Sequence, residues 1–375
     1  MKTVRKGETV MTTRDLMREP LKDFTAYVAG GKQFKFDSGM PVIKLNANEN
    51  QMGPGPKAMM AMSAELGQGN LYPMETILNL KRKISKHVGF PLECITTFSG
   101  SGSGIQAIGE AFLNPDDEML VCSPTYMAYY ILPKRFGAKL VEVEAEDGVS
   151  TDLDKIYEAI NDKTKLIFIC NPNNPTGTLL DPDKLFDFIK KLPEHVITVV
   201  DEAYIDWIAD DSYPSALKMV EDGRNLIILR TFSKIYGLAG CRVGYAVANA
   251  EVTQCLGSIA GFMGPNRIGA AGAAAALEDY EYYNAAKENN TSQRTYLTEE
   301  MEKLGITVVP SSASFIYFAP HCDTKECMDY LESRGVFIRY FSEEYIRVSI
   351  GLPWQNKQFL NVLTDYLRQY RKIAV

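Results

Sequence analysis

The chain of 375 residues is poor in the features that mark several common chemistries. It carries three histidines, His87, His195 and His321, in unrelated contexts, and no spacing suggests a zinc site. Its seven cysteines are odd in number and lack a Cys-x-x-Cys pair. Cys94, Cys122, Cys170 and Cys241 fall in or beside apolar segments and read as small buried hydrophobes of a reducing compartment. No apolar run approaches the roughly 20 residues of a membrane span, and Met1 to Thr9 lacks the apolar core of a signal peptide. Lys and Arg total 40 against 47 Asp and Glu, a net charge of −7, with no basic block and no aromatic–basic interleaving. These absences speak against nucleic acid or membrane as a partner and against a metal centre, and favour a cytoplasmic protein.

What the chain does have is a lysine in an unusual place. Lys234 lies in Thr231-Phe232-Ser233-Lys234-Ile235-Tyr236-Gly237-Leu238-Ala239-Gly240-Cys241-Arg242-Val243-Gly244-Tyr245. The apolar run Leu226-Ile227-Ile228-Leu229 delivers it from what reads as a buried strand. A lysine brought into an interior is costly unless it is neutral or covalently used. Its natural use is a Schiff base with an aldehyde cofactor whose anionic handle meets Ser233 and Arg242. A structural lysine at the surface end of a strand is the plainer alternative.

Two upstream segments share the pattern. Asn171-Pro172-Asn173-Asn174-Pro175-Thr176-Gly177 follows the run Leu166 to Cys170, and Asp201-Glu202-Ala203-Tyr204 follows Val196 to Val200. Short β-branched runs ending in polar clusters are what parallel strands look like when they finish at a common carboxyl edge, where open α/β sheets bind ligands. An Asn, an Asp with a Tyr, and a Lys are thereby aimed at one crevice. A Gly/Ser loop, Phe98 to Gly104, precedes the helical pattern Ile105 to Phe112 and would offer backbone N–H groups and a helix N-terminus to an anion. Taken alone it reads rather as a flexible turn.

Together these segments resemble the pyridoxal-phosphate aminotransferases of fold type I (class I/II). The Ser-Lys-x-x-Gly-Leu-Ala-Gly-x-Arg-x-Gly-Tyr form is similar to the histidinol-phosphate aminotransferase branch. Leu45-Asn46-Ala47-Asn48-Glu49-Asn50 before Gly53-Pro54, Leu71-Tyr72-Pro73, and Arg347-Val348-Ser349-Ile350-Gly351 agree with that branch. The resemblance runs from about Arg18 to the C-terminus.

It implies a role for each residue. Lys234 would hold pyridoxal 5′-phosphate covalently and then act as general base and acid. Asp201 would face the pyridine nitrogen and keep it protonated. Tyr204 and Asn174 would hydrogen-bond the phenolic oxygen, and Tyr126 would stack on the ring. Ser101, Gly102 and Ser103, with Ser233, Arg242 and Tyr72 of a partner subunit, would hold the phosphate. Arg347, Arg339, Tyr27 and Asn48 would meet substrate, the arginines by paired hydrogen bonds to carboxylate or phosphate. Arg339 reads equally as a solvated strand-end charge. Substrates would be a small-molecule amino donor and a 2-oxo acid, best guessed as histidinol phosphate with 2-oxoglutarate. An aromatic or acidic amino acid, or a phospho-amino-acid decarboxylase of the same branch, is the alternative; a ligand sensor without turnover fits less well. The protein would be a homodimer with shared active sites.

The pattern predicts an α/β protein of fold type I: a large domain with a mostly parallel seven-stranded sheet flanked by helices, plus a small α+β C-terminal domain. Residues 1–44 read as an arm and a segment completing the small domain, 45–275 as the large cofactor-binding domain and 276–375 as the small one. Strands are expected at Met119 to Cys122, Ala138 to Val143, Ser314 to Phe318, Val336 to Tyr340 and Tyr345 to Ile350. Helices are expected at Met127 to Phe136, Leu153 to Ile160, Asp181 to Leu192, Asp279 to Leu304 and Asn356 to Tyr370. Met59, Met60 and Met62 read as helix core. Two segments depart from the branch, Gly261 to Arg267 and Ser314-Phe315, and Arg267 reads as either an extra substrate cation or a surface charge.

Overall fold

The computed structural model describes residues 16–22, 42–260 and 264–373. Its strands in chain order are β1 (Ile43–Lys44), β2 (Ile95–Phe98), β3 (Glu118–Ser123), β4 (Lys139–Glu144), β5 (Thr164–Cys170), β6 (Ile197–Asp201), β7 (Leu226–Thr231), β8 (Gly244–Ala248), β9 (Thr307–Val308), β10 (Phe315–Ala319), β11 (Val336–Phe337), β12 (Arg339–Tyr340) and β13 (Ile346–Ser349). Seven form one sheet in the order β2-β8-β7-β6-β5-β3-β4. Only β8 runs against its neighbours, so six strands end at the same edge.

The strand residues alternate between two hydrophobic cores. Ile167 and Ile169 join Leu120, Val200 and Ile228 on one face, while Leu166, Phe168 and Cys170 join Val121, Val199 and Leu229 on the other. Apolar residues on both faces are what a parallel sheet covered by helices requires. The crossover helix Pro182–Lys191 shows how the sequence builds that cover. The Asp181 carboxylate accepts from the Lys184 N–H at 3.0 Å, Pro182 takes the first helical position, and Leu185, Phe188 and Ile189 form the buried stripe.

A second sheet, β12-β13-β10-β9, and the parallel pair β1–β11 form with the helices Tyr280–Lys303, Thr324–Ser333 and Pro353–Ile373 a third core. Ile43 and Leu45 are buried in it. The stretch expected as one strand from Val336 to Tyr340 is two: β11 pairs with β1, and β12 pairs with β13. Ile338 between them is buried while Arg339 and Tyr340 are half-exposed, so the chain changes sheets where its burial pattern changes. The reading of Met59 and Met60 as core fails, since both are exposed on the helix Pro56–Glu65 and only Met62 packs inward. Cys122 and Cys170 are buried as expected, but Cys94 and Cys241 are half-buried. Among the described residues no helix is long and apolar enough to cross a membrane.

One close approach fixes the geometry of the ligand edge. Gly244 opens β8 beside the start of the helix Ser101–Phe112, where a Cβ would lie 2.5 Å from the Ser101 nitrogen and 2.8 Å from the Gly100 carbonyl carbon. Gly244→Ala should therefore force a backbone shift and destabilise by about 1–3 kcal/mol. Gly257→Ala, whose Cβ enters open space on a helix, should be neutral or mildly stabilising. Urea unfolding of the two variants checks the contrast.

Candidate active site

The carboxyl ends of β2, β3, β5, β6 and β7 converge. Register sets Cys170 beside Asp201, Asp201 beside Leu229, and both Phe98 and Thr231 beside Gly244. The residues just beyond these positions therefore share one crevice.

Asp201 is 3% exposed. Tyr129 Oη donates to its Oδ2 at 2.7 Å and the Ala203 N–H donates to its Oδ1 at 3.0 Å. Burial pushes the carboxyl up to about 6, against the pull of those two donors and of Lys234. Lys234 moves the other way. Burial, and then the Arg347 and Arg242 guanidiniums, bring its ammonium down to about 8. Its Nζ donates to the carbonyl of Asn48 at 3.2 Å and that of Ala47 at 3.5 Å, and lies 5.4 Å from the centre of the Tyr204 ring.

Tyr204 is buried, and burial raises its phenol. Its Oη accepts from Asn48 Nδ2 at 3.1 Å and from Asn174 Nδ2 at 3.3 Å, which leaves its O–H to donate. Asn48 holds a left-handed φ of 55° that asparagine tolerates. Its N–H donates to Ser349 Oγ at 2.9 Å and its Oδ1 accepts from the same hydroxyl at 3.0 Å. Arg347 is 5% exposed, donates to Asn174 Oδ1 and to the Asn46 carbonyl, and lies about 5 Å from the ring centres of Phe315 and Phe341.

The Gly/Ser loop opens the helix Ser101–Phe112, with Gly100 at φ 85° as its N-cap. A Cβ on Gly100 would lie 2.3 Å from Arg242 Nη2, so the loop accommodates the guanidinium only because that residue is glycine. Arg242 Nη1 also donates to the Ala239 carbonyl at 2.8 Å and to Ser233 Oγ at 3.4 Å. Ser101, Gly102 and Ser103 thus stand at a helix N-terminus next to an exposed arginine. Tyr126 heads the next helix, Met127–Phe136, partly exposed and edge-on to Tyr129 at 5.5 Å.

The structure links Lys234, Asn48, Tyr204, Asn174 and Arg347 through one chain of hydrogen bonds, with Asp201 close enough for Lys234 to act on its charge and Ser233, Arg242 and the loop beside it. Arg339 stands directly opposite Arg347 across β12–β13. Tyr72 is 90% exposed and touches none of this cluster within its own chain. Tyr27 lies outside the described residues, as do 261–263. Arg267 is not the free surface charge of one of its readings: its side chain is 13% exposed and its guanidinium is held by Glu65 and by the carbonyls of Leu71 and Tyr72.

Residues 40–363 match the model of the family described as aminotransferase class I and II. The chain belongs to that family. It is 35% identical over 358 residues to histidinol-phosphate aminotransferase of Moorella thermoacetica, covering 93% of this chain and 92% of that protein. It is also 35% identical to aromatic amino acid aminotransferase of Mycolicibacterium smegmatis, over 92% of this chain and 94% of that one. Among solved structures, histidinol-phosphate aminotransferase of Sinorhizobium meliloti in complex with pyridoxal-5′-phosphate superposes with a TM-score of 0.82 at 27% identity, covering 88% of this chain and 92% of that chain. The α/β architecture, with its mostly parallel sheet, is the fold of such class I and II aminotransferases.

Within that family frame the sequence reading missed Tyr129. It sits in an apolar helix and counts there as core, yet among the described residues its hydroxyl is the one side-chain donor that hydrogen-bonds the Asp201 carboxylate. The signal lay in its spacing, three residues after Tyr126 on the same helix face. Asn173 was missed too. It accepts from Thr125 Oγ1 and donates to the Pro124 carbonyl and Thr176 Oγ1, tying the β3 and β5 ends together.

The Asp201 shift makes a stability statement. A carboxyl raised in the folded state contributes stability that is fully present below its unfolded value near 4 and lost as pH rises through about 6. Above pH 6, cofactor-free protein should carry a penalty of roughly 3 kcal/mol from this group. Asp201→Asn should then be more stable than wild type at pH 8 but not at pH 4. Tyr129→Phe removes a donor to the carboxylate and should shift the wild-type loss further up the pH scale. Urea unfolding of the cofactor-free proteins across pH 4–8 checks both.

Proposed function

We propose that this protein is a pyridoxal 5′-phosphate-dependent aminotransferase, exchanging an amino group between an amino donor and a 2-oxo acid. Histidinol phosphate with 2-oxoglutarate is the favoured pair. The protein would work as a cytoplasmic homodimer with shared active sites. The observation that carries the reading is the opposed pair at adjacent strand ends, a desolvated carboxyl at Asp201 and a lysine at Lys234 whose ammonium is brought down to about 8. A buried carboxylate hydrogen-bonded, among the described residues, only by a phenol and a backbone N–H is suited to a protonated ring nitrogen, and a partly neutral buried amine is suited to an aldehyde. The cofactor fits these residues.

Bound there, pyridoxal 5′-phosphate supplies an aldehyde for the amine and a protonated ring that withdraws electrons from the substrate Cα. Lys234 serves as the proton carrier: with the amine half neutral near pH 8, it can take the Cα proton and return it on the other side of the exchange. Asp201, held at both oxygens by Tyr129 and Ala203, keeps the ring nitrogen's proton in place. Tyr204 and Asn174 would donate to the phenolic oxygen, and Tyr126 would cover the ring face. Ser101, Gly102, Ser103, Ser233 and Arg242 would hold the phosphate, with Tyr72 contributed by a second copy. Arg347 takes the substrate's anionic group, screened from water by Phe315 and Phe341.

The choice of substrate rests on β12–β13. Arg339 and Arg347 are direct cross-strand partners, so both side chains leave the same face. Like charges in that position repel unless an anion lies between them, and a phosphate monoester carries more charge than a carboxylate. That supports histidinol phosphate over an aromatic donor.

Lys234→Ala should lose the visible absorbance of lysine-bound cofactor and multiple-turnover activity together. In the wild type, capture of cofactor by the cofactor-free protein should accelerate as pH rises through about 8, the pH at which the Lys234 ammonium loses its proton, and stopped-flow absorbance measures this. A variant with wild-type absorbance and rate would overturn the reading.

Arg339→Ala should raise KM for histidinol phosphate by roughly tenfold or more while changing that for phenylalanine or aspartate little. A donor panel on the wild-type holoenzyme is the direct check. A preference for phenylalanine over histidinol phosphate would remove the substrate assignment and leave the aminotransferase reading standing.

A further inference from the structure

Arg267 begins the helix Arg267–Ala276, where a cation opposes the positive end of the helix dipole. A local cost of that kind calls for a compensating contact elsewhere. The compensation is a set of four contacts that all lie on one short segment. Nη1 pairs with Glu65 Oε2 at 2.8 Å and approaches Gln68 Oε1 at 3.4 Å, Nη2 donates to the Tyr72 carbonyl at 3.0 Å, and Nε donates to the Leu71 carbonyl at 3.4 Å. All three nitrogens of one guanidinium are therefore used on residues 65–72. The Arg267 and Glu65 side chains are only 13% and 23% exposed, so this pair is screened less than a surface ion pair.

The base of the contact is rigid. Asn266 caps the helix, its Oδ1 accepting from the Gly269 N–H at 2.7 Å while its Nδ2 donates to the Cys241 carbonyl at 2.8 Å. Gly269 and Gly272 bring the helix against Cys241 and against Met62 of the helix Pro56–Glu65. Cys241 neighbours Arg242, so the same backbone anchors the guanidinium beside the Gly/Ser loop. The far end of the contact is different. Tyr72 presents an almost fully exposed ring, flanked by exposed Leu71 and Met74, and the next residue, Pro73, has no N–H to hold the chain. Among the described residues, the hydrogen bond that holds Tyr72 is the one its carbonyl accepts from Arg267.

We propose that Arg267, with Glu65, is a positioning residue that presets the 65–72 segment and holds the Tyr72 hydroxyl where the active site of a second copy receives it. This rests on the shared-site reading above and adds to it a residue from the stretch that departs from the histidinol-phosphate branch. A lysine cannot replace it, because one ammonium cannot reach a carboxylate and two successive carbonyls in a planar fork. Fixing the loop before assembly lowers the ordering entropy that binding would otherwise have to overcome.

The test uses Tyr72→Phe, Arg267→Lys, Glu65→Gln, and the Tyr72→Phe/Arg267→Lys double variant. Cofactor affinity is measured by titrating cofactor-free protein with pyridoxal 5′-phosphate, and dimer content by sedimentation velocity. Hydrogen exchange reports on the amides of residues 66–72. Tyr72→Phe should weaken cofactor binding by roughly tenfold, the loss of one hydrogen bond to a charged group. Arg267→Lys should weaken it comparably with dimer content unchanged and faster exchange in 66–72. The double variant should be little worse than either single one, because a misplaced hydroxyl contributes nothing further when removed. Should Arg267→Lys fail to fold, Glu65→Gln carries the same expectation from the other end of the pair. Unchanged affinity and exchange in the position 267 and 65 variants, with a clear Tyr72→Phe effect, would overturn the positioning role and leave the shared site intact. Losses that simply add in the double variant, or that track dimer dissociation, would also overturn it. No effect of Tyr72→Phe would instead remove the shared-site reading, and the proposal with it.

Discussion

Desolvation at the carboxyl edge of the sheet is the constraint on which the rest of the molecule depends. Asp201 and Lys234 are carried to their positions by β6 and β7, adjacent inner strands of the sheet. The burial that stabilises those strands raises one group and lowers the other. Neither shift requires a special residue type. It requires strands buried on both faces that end together, which a parallel sheet provides and an antiparallel meander does not. The single reversed strand, β8, fits the same logic. Running back from the edge, it starts where the others finish and so brings Arg242, two residues before its first residue, next to Ser233 and the Gly/Ser loop.

Behind this edge lies an ion pair with little exposure to water. Arg230 of β7 bonds Glu202, the residue after Asp201, at 2.8 Å, and Ser215 bridges both. The Glu202 N–H bonds the Leu229 carbonyl and its carboxylate accepts from Ala216. A buried pair is weak evidence for stability, but breaking one partner leaves an uncompensated charge. Its effect here is geometric. It locks the ends of β6 and β7 in register, and with them the spacing between Asp201 and Lys234.

Much of this was legible in the sequence because the signals are local. Apolar runs followed by Asn174, Asp201 and Lys234 state both the strand and the polar group at its end, and helix Pro182–Lys191 carries its own cap and stripe. What was not legible depends on partners distant in sequence. Tyr129 reads as core until Asp201, 72 residues away, is seen to accept its hydrogen bond. Met59 and Met60 read as core because composition cannot say which face of a helix lacks a neighbour. The contacts of Arg267 were not legible either, since its acceptors lie about 195 to 202 residues earlier in the chain. The break between β11 and β12 is of the same kind, decided by which strand was available to pair.

The core of the smaller sheet meets the large sheet through the same groups that line the crevice. Arg347, on β13 of the smaller sheet, bonds Asn174, at the end of β5 of the larger one. Asn48 bonds Tyr204 on one side and Ser349 on the other. The residues around Lys234 are therefore the hydrogen-bonded seam between two hydrophobic cores, not a cavity within either. A group that enters this seam must replace bonds already made there, by Arg347 to Asn174 and by Lys234 to the carbonyls of Ala47 and Asn48. An anion meeting Arg347, or a carbonyl meeting Lys234, therefore competes with contacts that fix how the cores sit together. Occupancy of the crevice and the arrangement of the smaller sheet against the larger one are thus coupled through a handful of named side chains.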